Sequence, residues 1–520
     1  MKLSPAKVLI LLSYAVFFIF TAEIPVSAAI DDILSAAASG NNYVIADLIK
    51  NGENINSKDS DGNTPLILAV SNEREETVRL LLESKGINVN ITNATGDSAL
   101  SQACSIGNLD IVRLLIEKRA LINITNNNKM TPLMIASLNG NEQIAEFLLN
   151  NKANPNAKDK SGFTALMYAS LKNNVPVVKL LCENKADINA SNYNKDSAFL
   201  IASAAGNVDT IKYLASAGAN TAQVNSQGIN ALIACAATGN LETAKYLVEE
   251  LGFNVNYQDN NGNTALIAAV AFIQSDITKQ VISMLNDPLI ANEKDILVFI
   301  QERKKDNLSM IEYLLTYESD INAVNKKGLS PFLTAIIEND TQIADYLLTK
   351  GANIEQITND GNNALLLSVK NSNLNTALFV INRNINMNIP DKDNKTALML
   401  AIESGNFDII NSIISKKQLD AAKTDNNGKN ALIYAVEYGY NKIVETLVKE
   451  NKVNINSSDK NGKTPLMYAV EAQNLSTVEL LISLKADVTI RNSSNKTAKD
   501  IADSIGFEYA ANYIATNTVK

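Results

Sequence analysis

The string Asp459-Lys460-Asn461-Gly462-Lys463-Thr464-Pro465-Leu466-Met467-Tyr468-Ala469 recurs, with variations, from one end of the chain to the other. Numbered from the residue equivalent to Gly462, the copies fall at 62, 96, 129, 162, 195, 228, 262, 295, 328, 361, 394, 428, 462 and 495, so that every step is 33 or 34 residues. A chain of 520 residues exceeds what one compact core supports. The constant period resolves how it is divided: one supersecondary unit repeats, each copy unable to bury its own apolar face, and a row of copies builds a continuous core. Stepping back from 62 by one period reaches Ala29, where an incomplete first copy opens with Asp31-Asp32-Ile33-Leu34.

Within each copy the local chemistry reads turn, helix, turn, helix. The Asp- and Asn-rich stretch ending in Gly62, Gly162, Gly262 or Gly462 forms a tight turn, because Gly accepts positive φ. Thr64 or its equivalent then caps a first helix, and Pro65, Pro132, Pro331 or Pro465 takes the first helical position, where a missing N–H costs nothing. Leu66 and Ala69 share one face, and the small Ala lets neighbouring helices approach. Gly107, Gly140, Gly206, Gly239, Gly405 and Gly439 end that helix. A second amphipathic helix follows, with Ile111, Leu114 and Leu115 spaced for one buried stripe.

Thr64-Pro65-Leu66-Ile67-Leu68-Ala69, Thr131-Pro132-Leu133-Met134-Ile135-Ala136 and Thr464-Pro465-Leu466-Met467-Tyr468-Ala469 carry a resemblance to the ankyrin repeat, whose signature is T-P-L-H-x-A. The resemblance covers nearly the whole chain after residue 28. It implies an all-α ankyrin-repeat solenoid of stacked helix-turn-helix repeats with short hairpin-like turns, about 15 repeats including caps. One departure is systematic: the chain has no His. Ile67, Met134, Met167, Ile233, Met399 and Met467 stand in its place, so a hydrogen bond used by the family near the turn is expected to give way to apolar packing. The expected organisation is an N-terminal capping repeat over 29–61, ankyrin repeats over 62–294 and 328–494, and a C-terminal capping repeat over 495–520. Between them, 295–327 has lost the signature but keeps the spacing, and reads as a degenerate repeat rather than an inserted domain.

Ahead of the array, Lys2 and Lys7 precede the apolar run Val8 to Phe20, and Val26-Ser27-Ala28 supplies small residues for a peptidase. Residues 1–28 therefore read as a signal peptide cleaved near Ala28, which makes the protein secreted or periplasmic. The rival is a membrane-tethered scaffold that keeps this segment uncleaved as an anchor.

A net charge of −9 works against nucleic acid and anionic membrane surfaces as partners. Cys104, Cys182 and Cys235 lie two repeats apart, about 20 Å at ordinary helix spacings. A disulfide needs Cα atoms within about 7 Å, so they read as buried small hydrophobes. Lack of His excludes Ser-His-Asp, Cys-His and His-metal arrangements. Carboxylate pairs such as Asp59 with Asp61 and Asp391 with Asp393 fit turn chemistry, lacking the ligand pattern of a calcium loop. Strings such as Asn123-Ile124-Thr125 match a glycosylation pattern by chance in an Asn-rich chain. No catalytic, cofactor or metal residue is assigned. The enzymatic alternative is an unrecognised carboxylate-based site near 270–327.

What remains is a surface. Partners of ankyrin proteins usually bind the concave side made by turn tips and the exposed side of the first helix. On this chain those positions are the residues flanking the anchor and those nine and ten beyond it. Most are Asn, Asp, Lys or Ser. Met130, Leu138, Phe163, Leu171, Lys172, Tyr193, Ile229 and Phe272 break that pattern in consecutive repeats, as a recognition patch would. Glu437 and Tyr438 mark a more acidic second region. The expected activity is binding of a partner protein by a monomeric, non-catalytic scaffold without cofactor.

Overall fold

The structure is a computed structural model that describes residues 32–271 and 307–517. These fall into two compact bodies that meet in sequence between Pro132 and Leu133. The signal-peptide segment 1–28 lies outside the described residues, as does Phe272.

Each repeat is built as its chemistry dictates. Thr64 Oγ1 accepts from the Ile67 N–H at 3.2 Å and caps Pro65–Ser71. Ser98, Ser197, Asn230, Ser330 and Asn363 do the same for their helices, while Thr464 makes no such bond. Gly107 ends Ala99–Ile106 in the left-handed region, with its N–H returning to Ala103 O. The second helix is one-sided: in Leu109–Glu117 the buried residues are Ile111, Val112 and Leu115.

The turn is held by an Asx residue three positions before the anchor, or by Thr358 in the tip at 361. Asp459 Oδ1 accepts from the N–H groups of Asn461 and Lys463, both at 2.8 Å, and the Gly462 N–H closes onto Asp459 O at 3.0 Å. Among the described residues no strand forms; isolated antiparallel bridges such as Ser191 with Ser197 are all that the hairpin-like tips require. Adjacent tips then bond edge to edge. In the first body the Ala94 N–H donates to Asp61 O at 2.8 Å, and Asn127 to Thr95 O at 3.0 Å. That approach explains the anchor glycine: a Cβ on Gly62, whose φ is 77°, would lie 2.8 Å from Ala94 N.

Repeats of 34 residues absorb the extra residue locally. In the repeat at 228 the second helix passes from α-helix over Leu241–Lys245 to a π-turn over Tyr246–Glu250, with the Leu251 N–H bonding back to Tyr246 O.

Two expectations are corrected. The missing family His is not replaced by apolar packing alone. Where Tyr stands six residues after the anchor, its hydroxyl donates to the turn carboxylate: Tyr168 to Asp159 Oδ2 at 2.6 Å, Tyr434 to Asp425 at 2.9 Å and Tyr468 to Asp459 at 2.8 Å.

The second correction concerns 295–327. The Lys326 N–H donates to Asn261 O at 2.7 Å, Asn325 Nδ2 to Asn263 Oδ1 at 3.0 Å and the Asp320 N–H to Asn256 Oδ1 at 2.7 Å. These bonds span 62 to 65 residues in sequence, where their counterparts at other joints span about half that. The tips at 262 and 328 are therefore immediate neighbours. Helix Ala265–Val270 is the first helix of that repeat and Asn307–Thr316 the second, with Tyr313 Oη donating to Glu249 of the preceding repeat at 3.1 Å. The two helices are separated by 36 residues, against three between Ser71 and Glu75. The excess equals one period, so counting along the sequence could not distinguish an insertion from a degenerate repeat. Residues 295–306 themselves lie outside the described residues.

Candidate functional site

In the repeats at 129, 162 and 228 the residue after the anchor is not a surface position. The Asx side chain that holds the turn takes its N–H: Met130 to Asn126 Oδ1 at 3.0 Å, Phe163 to Asp159 Oδ1 at 2.7 Å and Ile229 to Asn225 Oδ1 at 3.0 Å. In these three repeats the apolar side chain packs back under the tip. Met130, Phe163 and Ile229 are 2%, 4% and 0% exposed, and the Phe163 ring packs on Tyr168 with centroids 5.3 Å apart. These three candidates are core residues, contrary to expectation. Met130 belongs to the first body, and all other described candidates to the second.

Leu138 and Leu171 are half-buried at the ends of adjacent first helices, and Lys172 is exposed. Their backbone is fixed from the next repeat, since Asn174 Nδ2 donates to Ser137 O at 3.0 Å and Asn207 Nδ2 to Leu171 O at 2.8 Å. Tyr193 is 68% exposed on its tip, yet its N–H is held by Ser161 O at 3.2 Å. Its ring edge lies over Gly162, where a Cβ would come within 3.1 Å of Tyr193 Cδ1. The arrangement presents an aromatic ring to solvent on a backbone that cannot drift.

A second row, half-buried at its lysines, runs through the repeats at 394, 428 and 462. Lys395 pairs with Glu403 at 2.8 Å, Lys429 with Glu437 at 2.6 Å and Lys463 with Glu471 at 2.8 Å. Lys429 Nζ also lies over Tyr468, 4.8 Å from the ring centroid, and Lys395 over Tyr434 at 5.4 Å. Glu437 is thus neutralised rather than free to make an acidic region. Tyr438, 46% exposed, stacks on Tyr440 at 5.8 Å, and Tyr440 meets Phe407 edge-on at 4.9 Å. Tyr440 occupies an N-cap where other repeats place Asn, and makes no side-chain cap bond. The row was readable as Lys and Glu eight residues apart in three successive repeats; the contacts of Lys395 with Tyr434 and of Lys429 with Tyr468 join different repeats and gave no local signal.

The cysteines stay thiols. None forms a disulfide among the described residues, and Cys104 and Cys235 are buried. Burial, with the Glu183 charge beside it, pushes the Cys182 thiol up to about 11 despite a hydrogen bond with Tyr213. Among the described residues no group of three or more Cys, Asp or Glu is placed to hold a metal, and no helix is long and apolar enough to cross a membrane.

Models of the family described as Ankyrin repeats (3 copies) match residues 33–126, 119–192, 198–291, 299–391 and 398–492, and Ankyrin repeats (many copies) matches 172–215. The chain belongs to the ankyrin repeat family. It is an all-α repeat solenoid of a class that generally serves as non-catalytic scaffolds for protein–protein interaction. No curated protein matches the chain.

Proposed function

We propose that this protein is an exported, monomeric, non-catalytic scaffold that holds a partner protein against the turn tips and first-helix ends of its second body. Tyr193 carries the reading: a ring 68% exposed on a backbone pinned to the neighbouring tip. A rigid aromatic anchor loses little entropy on binding, and such anchors dominate interface energetics. Leu138, Leu171 and Lys172 extend the surface along the adjacent repeats. The segment 1–28 supports export, since basic, apolar and small residues follow in the order a signal peptidase reads.

The test is capture of partners from the medium or periplasm of the producing cell with the intact protein and with a Tyr193→Ala, Lys172→Glu variant. Partner loss with an unchanged unfolding midpoint supports the surface, and full retention rejects it. N-terminal sequencing of the mature protein decides export, with Ala29 as the expected first residue and Met1 the result that favours a retained anchor.

A further inference from the structure

Within the second body the tips are latched in series by one backbone hydrogen bond per joint. The donors and acceptors are Tyr193 to Ser161 (3.2 Å), Ser226 to Asn194 (2.8 Å), Asn260 to Gln227 (2.9 Å), Lys326 to Asn261 (2.7 Å) and Asn359 to Lys327 (3.1 Å). The series resumes with Asn426 to Asp393 (3.1 Å), Lys460 to Asn427 (2.9 Å) and Ser493 to Asn461 (2.9 Å). At the joint between the tips at 361 and 394 it is interrupted. Among the described residues, no bond joins the Lys392 N–H to Asp360 O.

The gap is also steric. A Cβ on Gly328 would meet Asn359 N at 2.6 Å, and one on Gly428 would meet Lys460 N at 2.8 Å. On Gly361 the nearest atom would be Pro390 O, 3.7 Å away. Gly328 and Gly361 share a φ of 76°, so the difference is one of spacing and not of local backbone.

Every polar contact that crosses this joint among the described residues uses a side chain. Glu355 Oε1 accepts from the Asn386 N–H at 3.0 Å, doing with a longer side chain what Asn322 and Asn388 do at the joints on either side. Lys370 Nζ sits between Asn362 Oδ1 and Asp391 Oδ2, at 2.8 Å from each. Asn363 Nδ2 reaches Asn386 O at 2.8 Å, and Lys416 Nζ reaches Asn382 Oδ1 at 3.4 Å. The sequence cause is Pro390, for no other tip has proline at that place. Its ring fixes φ and confines Ile389 to extended backbone, steering the following tip away from its neighbour.

We propose that the joint between the tips at 361 and 394 is a hinge, at which repeats 394 to 495 move and unfold as a block separate from repeats 162 to 361. A backbone latch holds its distance, whereas Lys370 and Glu355 have several rotatable bonds and keep their partners over ångström-scale displacements. In a stack whose cooperativity runs through nearest-neighbour interfaces, one joint of weaker coupling divides the array. A partner touching tips on both sides of the hinge would fix its angle, but the hinge itself does not depend on the partner reading.

Amide hydrogen exchange of the full chain tests this in two ways. The Lys392 amide should exchange about tenfold or more faster than those of Asn359, Asn426 and Lys460. In rising sub-denaturing urea, residues 394–517 and 162–361 should lose protection at different concentrations; one shared concentration across both blocks would overturn the hinge. The spacing is tested by a matched pair, since Gly328→Ala and Gly361→Ala carry the same backbone strain. Gly328→Ala should lower the urea midpoint further, and equal losses would overturn the open joint.

Discussion

Asn225 Nδ2 donates to Asp196 Oδ1 at 3.2 Å across the joint between two repeats, while Asn192 Nδ2 of the same tip donates to Asp196 Oδ2 at 3.0 Å. Asp196 is fully buried and accepts from both amides, so its two oxygens are both needed as acceptors. In the tip at 62 the order is reversed: Asn63 Nδ2 donates to Asp59 Oδ2 at 3.0 Å, and Asn93 Nδ2 donates to Asn63 Oδ1 at 3.0 Å. Each of these tips holds one carboxylate and one amide, and the donor direction along the row is kept.

This polarity predicts a swap experiment. Asp196→Asn alone sets an amide donor against one of the two amides it now serves, leaving a buried donor unpaired at about 1–3 kcal/mol. Adding Asn192→Asp rebuilds the arrangement of Asp59 and Asn63. The double variant should therefore be more stable than the single by that amount, read from urea midpoints. A double variant no better than the single would reject the donor order.

The same residue sets a sign for pH. Burial raises the Asp196 carboxyl above its ordinary value of 3.8, against the lowering effect of its hydrogen bonds from Asn192 and Asn225. A raised folded pKa gives a contribution fully present below 3.8 and lost as pH rises through the folded value. Between pH 3.8 and neutrality the intact chain should lose stability relative to the Asp196→Asn, Asn192→Asp variant. An unchanged difference between them across that range would show that burial does not govern this group.

Phe163 and Tyr193 separate packing from surface. Phe163→Ala removes a buried ring that packs on Tyr168 and should cost about 3–5 kcal/mol. Tyr193→Ala removes an exposed one and should change stability by about 0.5 kcal/mol or less. Comparable losses in urea unfolding would mean that the Tyr193 ring is structural.

These two residues also mark how far the sequence could be read. Helices, caps and turns were legible because Thr64, Pro65, Leu66, Ala69 and Gly107 act within a few residues of one another. The burial of Phe163 was not, because it depends on the ring turning inward to pack on Tyr168. A residue type alone cannot report that direction. The pairings Lys429 to Tyr468 and Asn225 to Asp196 act between repeats, and a period says which positions are equivalent without saying which side chains meet.

Tyr434 and Tyr468 should resist alkaline titration. Burial, then the hydrogen bonds to Asp425 and Asp459, hold both hydroxyls well above the ordinary tyrosine value of 10.0. A raised folded pKa means their stabilisation is complete below about pH 10 and lost as pH rises through the folded value. Tyrosinate absorbance should show these two groups ionising only as the protein unfolds. Tyr468→Phe should cost about 1.5–3 kcal/mol at neutral pH, since it strips a donor from a buried carboxylate. Early, reversible ionisation of all tyrosines would contradict the geometry.

The stack is continuous across the interruption, because Asn261 and Lys326 already bond as adjacent tips do and Tyr313 already reaches Glu249. Replacing residues 272–306 with Gly-Asn, the pair that joins Ala198–Ala205 to Val208–Ser216, should therefore leave both helices of that repeat in place. Loop-closure entropy gives the direction. Shortening the connection from 36 residues to three lowers the cost of closing it by up to about 2 kcal/mol, so the shortened chain should unfold at equal or higher urea concentration. Circular dichroism should retain the helical signal of the flanking repeats, and the Lys326 amide should stay protected from exchange. Loss of that protection, or of cooperative folding, would show that the removed residues carry part of the core and that the tips at 262 and 328 do not stack unaided.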